Sequence, residues 1–162
     1  MRTSNGKIRN IIVSIYFILI VLAIILATVF SAFNNLTGNP KLTFSLFFLG
    51  FVGLFLLVYW VSKYFEYDSD GVKVVVLNRG LLLSDYLNYR EFKVEFEKHK
   101  LKSFVFRNYL IYKSLTLYIK SNNGNVKRAT FNVTLVARKK RKYIRQSLRK
   151  MVKANRQKYP TN

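Results

Sequence analysis

The sequence predicts a membrane α-helical hairpin followed by an α+β soluble domain, an antiparallel barrel or meander of six to seven strands closed by a C-terminal amphipathic helix. Three observations predict this fold class. Residues 11–33 and 42–61 carry no charged side chain. Beyond them the apolar residues alternate with polar ones, and in the last third of the chain they recur with a helical period. We expect the hairpin to occupy residues 1–63 and the soluble domain residues 64–162.

The two uncharged stretches are predicted to be transmembrane helices. Each is long enough to cross a hydrocarbon core of about 30 Å as a helix, which satisfies its own backbone hydrogen bonds in lipid. Two such stretches in a chain of 162 residues favour a membrane hairpin over the buried helices of a soluble protein. The first stretch also resembles a signal peptide, although it is longer than the usual ~7–15 apolar residues. Cleavage near Ser31 is therefore the alternative.

The basic residues that flank the two stretches predict their orientation. Arg2, Lys7 and Arg9 precede the first stretch, and a segment dense in Lys and Arg begins at Lys63. The connection between the stretches carries only Lys41. The positive-inside rule therefore predicts a cytoplasmic (inner) membrane protein with both termini in the cytoplasm. The soluble domain is expected on that side even if the first stretch is cleaved.

Two features of the second stretch predict contacts. Tyr59 and Trp60 lie at its inner end, where amphipathic rings anchor at the level of the lipid headgroups. Gly50 and Gly53 would let a neighbouring helix approach closely. That helix is either the first stretch or a helix of another membrane protein.

Alternating apolar and polar residues predict the strands of the soluble domain. Residues 92–96 and 115–119 follow the two-residue period of half-buried strands. Residues 72–77 and 81–83 are short apolar runs. Asn-Gly and Asp-Gly pairs favour tight turns. The predicted turns are residues 68–71, 78–80 and 122–124.

An amphipathic helix is predicted at about residues 135–157, with Thr134 as its N-cap. Its apolar stripe comprises Ala137, Ile144, Leu148, Met151 and Val152. This stripe either covers the strands or dips into lipid headgroups. We favour the first role because the strands would otherwise lack a cover.

The order of these elements over residues 64–157, together with the stretch GLLLSD at residues 80–85, is similar to that of a pleckstrin-homology (PH)-like domain. With the hairpin included, the chain resembles small bacterial membrane proteins that have two transmembrane helices and a C-terminal PH-like domain. The resemblance implies a PH-like barrel that serves as a binding or scaffold module in a larger assembly.

The charge of the chain is distributed unevenly. The net charge is +21, yet all seven acidic residues lie at or before Glu97. Such one-sidedness predicts an anionic partner, because surface charges of both signs normally interleave. The candidates are anionic lipid headgroups of the bilayer, RNA such as that of a ribosome, and the acidic surface of another membrane protein subunit. The expected contact residues are Arg138, Lys139, Lys140, Arg141, Lys142, Arg145, Arg149 and Lys150.

The chemical inventory argues against an enzyme, a cofactor or a metal site. The chain has no Cys and a single His, which excludes thiol nucleophiles and most zinc sites. That residue, His99, has no carboxylate partner evident in the sequence and is expected on the surface.

We therefore predict a non-catalytic accessory or scaffold subunit of a bacterial cytoplasmic-membrane protein complex. The alternative is a membrane-tethered docking factor for ribosomes or other nucleic acid. Aromatic and basic residues interleave over residues 104–113, as they do in base-stacking platforms, although such aromatics more often form a core.

Overall fold

The computed structural model describes residues 1–29, 39–81 and 91–158. The chain divides into two compact units. We call Lys7–Trp60 the helical unit, and Met1–Gly6 together with Val61–Asn162 the sheet unit. Three predictions lie partly or wholly outside the described residues: the end of the first apolar stretch with Ser31, the run at residues 82–83, and most of the GLLLSD stretch.

The helical unit contains α1 (Arg9–Val29) and all but the last residue of α2 (Pro40–Val61), and both helices are long and apolar enough to cross a membrane. The backbone N–H of Lys41 donates to Oδ1 of Asn39 at 3.1 Å, which makes Asn39 the N-cap of α2. Large apolar side chains are exposed around both helices, as on a helix whose surroundings are apolar. The two helices contact each other through Tyr16 and Phe55, whose ring centroids are 4.7 Å apart.

The sheet unit contains two antiparallel sheets in which each strand pairs with its neighbour in the chain. The first sheet consists of β1 (Arg2–Ser4), β2 (Lys63–Asp68), β3 (Lys73–Gly80) and β4 (Phe92–Glu97). The second consists of β5 (Leu101–Asn108), β6 (Lys113–Lys120) and β7 (Val126–Asn132). The predicted α+β meander is thus present. Among the described residues no strand pairing joins the two sheets, so they do not form a closed barrel.

Strand β1 was not predicted, because the sequence-based division assigned residues 1–63 to the hairpin. It instead pairs with β2, with Arg2 opposite Asp68 and Ser4 opposite Glu66. Asn5 then fixes the junction: its Nδ2 donates to the Lys63 carbonyl at 3.0 Å, and its Oδ1 accepts from a backbone N–H of β2 at 2.8 Å. The segment before α1 therefore belongs to the sheet unit.

Both sheets share one hydrophobic core with the C-terminal helix, α3 (Arg138–Lys158). Phe65 of β2 and Phe131 of β7 meet edge to face, with ring centroids 6.4 Å apart. Ile144 and Leu148 are fully buried, because residues four apart lie on the same face of a helix. The prediction that the apolar stripe of this helix covers the strands is therefore confirmed, although Ala137 precedes the helix and is exposed.

Two local predictions are wrong. Thr134 does not cap α3; its Oγ1 accepts a hydrogen bond from the Lys113 backbone N–H at 2.9 Å and holds the start of β6. Residues 78–80 are not a turn but the end of β3, because Asn78 uses its amide to join the two sheets. The other two turns are confirmed, and Gly124 adopts the positive φ of 78° that favours glycine.

The strand registers define two ends of the sheet unit, which we call the junction end and the distal end. The junction end comprises Asn5, Lys63, Gly80, Asn108, Lys113 and Asn132. Nδ2 of Asn132 lies 3.5 Å from the carbonyl oxygen of Val61, the last residue of α2. The chain therefore continues into α1 and into α2 from the same end. The distal end comprises Asp68, Lys73, Glu97, Leu101, Lys120 and Val126.

Asn78 is expected to be a main link between the two sheets. Its Nδ2 donates to the carbonyls of Tyr64 at 2.9 Å and Asn132 at 3.1 Å, and its Oδ1 accepts from the Asn132 N–H at 3.1 Å. Because the Asn78→Ala substitution removes these three hydrogen bonds, we expect it to lower the free energy of unfolding by about 2–4 kcal/mol. Chemical denaturation of the full chain in detergent micelles, followed by near-UV circular dichroism, measures this decrease.

The matched control is Asn123→Ala, in the exposed turn between β6 and β7. It is expected to change the free energy of unfolding by less than about 0.5 kcal/mol. Equal decreases in the two variants would contradict the linking role of Asn78.

Candidate anion-binding surface

Helix α3 directs most of its basic side chains away from the core, because Ile144 and Leu148 occupy the face that the sheets cover. Six of the eight predicted contact residues are exposed and two are partly buried. The exposed residues are Arg138, Lys139, Lys142, Arg145, Arg149 and Lys150, and the partly buried ones are Lys140 and Arg141.

Arg138, Arg141 and Arg145, which we call the arginine cluster, lie three and four residues apart along α3, so their side chains share one side of the helix. Burial and then the positive charges of Arg138 and Arg145 lower the pKa of Arg141. Nη1 of Arg141 is buried without a hydrogen-bond partner among the described residues. Guanidinium groups bind carboxylates and phosphates through paired N–H groups, so this cluster is suited to an anion.

Two predicted contact residues also support the fold. Nζ of Lys140 donates to the carbonyl of Ser4 at 2.5 Å and so holds β1 against α3. The guanidinium of Arg145 lies over the ring of Phe106, 5.0 Å from its centroid, in a cation–π contact. Sequence reasoning grouped all eight cations together, whereas the structure gives Lys140 a partner within the chain.

The aromatic residues near β5 divide into two groups. Phe104 and Phe106 pack against the core, with ring centroids 6.0 Å apart, and are therefore not placed as a platform for bases. Tyr109 and Tyr112 close the turn between β5 and β6. At the tip of that turn Leu110 is 99% exposed, a position that sequence reasoning did not single out. The sequence does contain an indication of this exposed position, because residues 109–112 are all apolar or aromatic where a turn is normally polar.

The acidic residues are distributed unevenly between the two ends of the sheet unit, as the strand registers show. At or next to the distal end lie the acidic residues Asp68, Asp70, Glu95 and Glu97. At or next to the junction end lie the basic residues Lys63, Arg79, Arg107, Lys113 and Arg138, with Glu91 as the described acidic residue there. Because the distal end also carries Lys73, Lys100, Lys120 and Lys127, the two ends differ mainly in their carboxylates, which are concentrated at the distal end.

The distal end contains a cavity of about 320 Å³. Its charged lining residues are Lys73, Glu95, Glu97, Lys100, Lys120 and Lys127. Glu97 lies 3.3 Å from Lys100 Nζ and 3.3 Å from His99 Nδ1. His99 is exposed as expected, and the short 3-10 turn after β4 brings it close to Glu97, a partner that the sequence did not make evident. Among the described residues, no three His, Asp or Glu side chains are grouped as metal ligands would be.

The predicted residues of the second apolar helix lie at separate positions along α2. A Cβ atom added to Gly50 or Gly53 meets nothing within 4 Å, so the contact with α1 does not use these glycines. Packing of the glycines against another protein's helix stays a prediction. Tyr59 and Trp60 are exposed at the C-terminal end of α2, directly before the residue where the sheet unit begins.

Comparison with protein-family models, curated proteins and solved structures finds no significant match for this chain.

Proposed function

We propose that this chain is a non-catalytic accessory or scaffold subunit of a bacterial cytoplasmic-membrane protein complex, and that α3 docks a negatively charged surface of a partner subunit. The arginine cluster carries this proposal. It combines three cations on one side of a helix with a buried guanidinium nitrogen that has no partner among the described residues. Burial and then the positive charges of Arg138 and Arg145 disfavour the charged form of Arg141, and a negative charge held beside these exposed arginines would favour it.

Membrane anchoring by α1 and α2 is the second part of the proposal. Strand β1 precedes α1 and β2 follows α2, yet the two strands pair. If both helices span a membrane, this pairing requires the two strands to lie on the same side, and the basic flanks favour the cytoplasm. Cleavage near Ser31 would remove β1 and the contacts of Asn5, so the pairing also favours an uncleaved first helix.

The resemblance to PH-like domains suggests that the sheet unit is a binding module. A meander of strands followed by one helix that covers the core supports it. In this proposal the unit is a rigid binding module, and the arginine cluster of α3 is its contact surface.

Purification of the full chain in mild detergent at native expression, followed by mass spectrometry, tests the proposal. The variant Arg138→Gln/Arg141→Gln/Arg145→Gln is expected to recover about tenfold less of the partner subunits than the wild type, because truncating one side of a charge pair at an interface weakens binding by several kcal/mol. The control Lys139→Gln/Lys142→Gln/Lys150→Gln removes the same charge from exposed positions of the same helix and is expected to retain the partners.

Three results would count against this function. A chain that migrates alone at 19.1 kDa plus detergent has no partner subunit. Equally reduced recovery in both variants means that overall charge, and not the arginine cluster, holds the partner. Recovery of ribosomes that declines steeply with salt would instead support the docking of nucleic acid.

A further inference from the structure

The turn between β5 and β6 presents an exposed apolar tip that the proposed function does not use. This tip comprises Tyr109, Leu110, Ile111 and Tyr112. Leu110 is 99% exposed, Ile111 50% and Tyr109 55%. The Tyr109 N–H donates to the Tyr112 carbonyl at 2.8 Å, and the two rings stack with centroids 6.4 Å apart, so the turn is closed. Adjacent apolar side chains held outwards in this way indicate a contact surface.

The tip belongs to the junction end of the sheet unit. Lys113, the first residue of β6, accepts a hydrogen bond at its carbonyl from the Val133 N–H at 2.8 Å. The preceding residue, Asn132, donates to the carbonyl of Val61 at 3.5 Å. Val61 ends α2, so the tip lies at the end of the sheet unit that is covalently continuous with the second apolar helix.

The charges around the tip match an anionic membrane surface. Arg107 and Lys113 flank the tip along the chain, and Lys63 and Arg79 lie at the same end of the unit. Basic residues close to an anionic leaflet are attracted to it, while aromatic and aliphatic side chains partition into the interfacial region. Base stacking would need aromatic faces, whereas the most exposed side chain of the tip is the aliphatic Leu110, so lipid is favoured over RNA.

We infer that the tip inserts into the interfacial region of an anionic leaflet and gives the sheet unit a membrane attachment separate from α1 and α2. The inference rests on the proposed membrane anchoring but not on the partner of the arginine cluster. Only Ser62 separates α2 from β2, and insertion of the tip restricts rotation of the sheet unit about this connection.

Site-specific fluorescence in lipid nanodiscs tests the inference, since the chain has no native Cys to compete for the label. The full-length variant Leu110→Cys is labelled with an environment-sensitive nitrobenzoxadiazole dye, at one chain per disc, in a bilayer that contains anionic phosphatidylglycerol. Spin-labelled lipid is expected to quench this dye at least about twofold more than a dye at Val72→Cys, because interfacial side chains reach about 5–10 Å into the boundary of the acyl chains. Val72 is 82% exposed in the turn between β2 and β3 at the distal end, and it is therefore a matched apolar control.

A third label, at Leu49→Cys on the exposed surface of α2, separates the two ways in which the experiment can fail. If the dye at position 49 is quenched but the dye at position 110 is quenched no more than the dye at position 72, the tip does not insert. The anchoring by α2 then still holds. Absence of quenching at all three positions overturns the anchoring itself. Replacement of phosphatidylglycerol by phosphatidylcholine is expected to reduce the quenching at position 110, and an unchanged signal overturns the role of the anionic leaflet.

Discussion

Replacement of Leu148 by aspartate is expected to unfold the sheet unit while the two apolar helices persist. Leu148 is fully buried in the core that α3 shares with both sheets. The substitution removes about 2–5 kcal/mol of apolar packing and also places an unpaired carboxylate in that core. Since a domain of this kind has about 5–15 kcal/mol of net stability, the combined destabilisation exceeds what most such units tolerate. Limited trypsin digestion of the full chain in detergent micelles measures the result, because Lys and Arg are abundant throughout the unit.

The matched control is Gln146→Asp, which places the same new side chain on an exposed position of the same helix. This variant is expected to resist trypsin about as well as the wild type, because surface substitutions change stability by roughly 0.5 kcal/mol or less. If both variants resist digestion equally, α3 does not complete the core and its apolar stripe has another role. The milder Leu148→Ala is expected to give an intermediate destabilisation of about 2–5 kcal/mol.

The second large effect is expected from a pair of cysteines across β1 and β2. Ser4 and Glu66 lie directly opposite each other in the antiparallel register. Opposed residues of antiparallel strands have Cα atoms about 4.5–5.5 Å apart, within the range that a disulfide spans. In the otherwise cysteine-free chain, we expect Ser4→Cys/Glu66→Cys to form a disulfide nearly completely on oxidation with copper phenanthroline. Mass spectrometry of the linked peptides measures the yield.

The control pair for the disulfide is Ser4→Cys with Asn123→Cys, which places the second thiol in the turn at the distal end. It is expected to give little intramolecular disulfide. A yield in the Ser4/Glu66 pair that does not exceed the control would mean that β1 does not pair with β2. Because reaction requires both thiols in one compartment, the same measurement in sealed membrane vesicles tests whether the segments before α1 and after α2 lie on one side.

The apolar helices and α3 were predictable because each depends on a local pattern. Uninterrupted apolar residues are sufficient to indicate α1 and α2, and the spacing of Ile144 and Leu148 indicates which side of α3 is buried. The alternating runs likewise placed β4 and β6. In all these cases the residues within a single element carry the information.

The misplaced or unpredicted elements depend on distant residues. Strand β1 is three residues long and has no apolar alternation of its own; it exists because β2 offers an edge and Asn5 bonds to that strand. Asn78 and Thr134 carry the residue types of a turn and a cap, but tertiary hydrogen bonds engage their side chains instead.

The candidate site was predictable in composition but not in geometry. Charge counting was sufficient to name the basic residues of α3. It does not distinguish Lys140, which contacts β1, from Arg141, whose Nη1 has no partner among the described residues. The exposure of Leu110 likewise depends on how β5 and β6 place their turn at the junction end.

The pairing of β1 with β2 has a consequence for biosynthesis. The ribosome synthesises β1 before either apolar helix, but β2 only after both. At roughly 5–20 residues per second, the first strand must wait several seconds for its partner, so the first sheet is completed only after translation of the whole hairpin. If α1 and α2 enter a bilayer during that interval, a chain that inserts them incorrectly leaves β1 on the opposite side from β2. The first sheet can therefore be completed only in chains that have inserted both helices correctly.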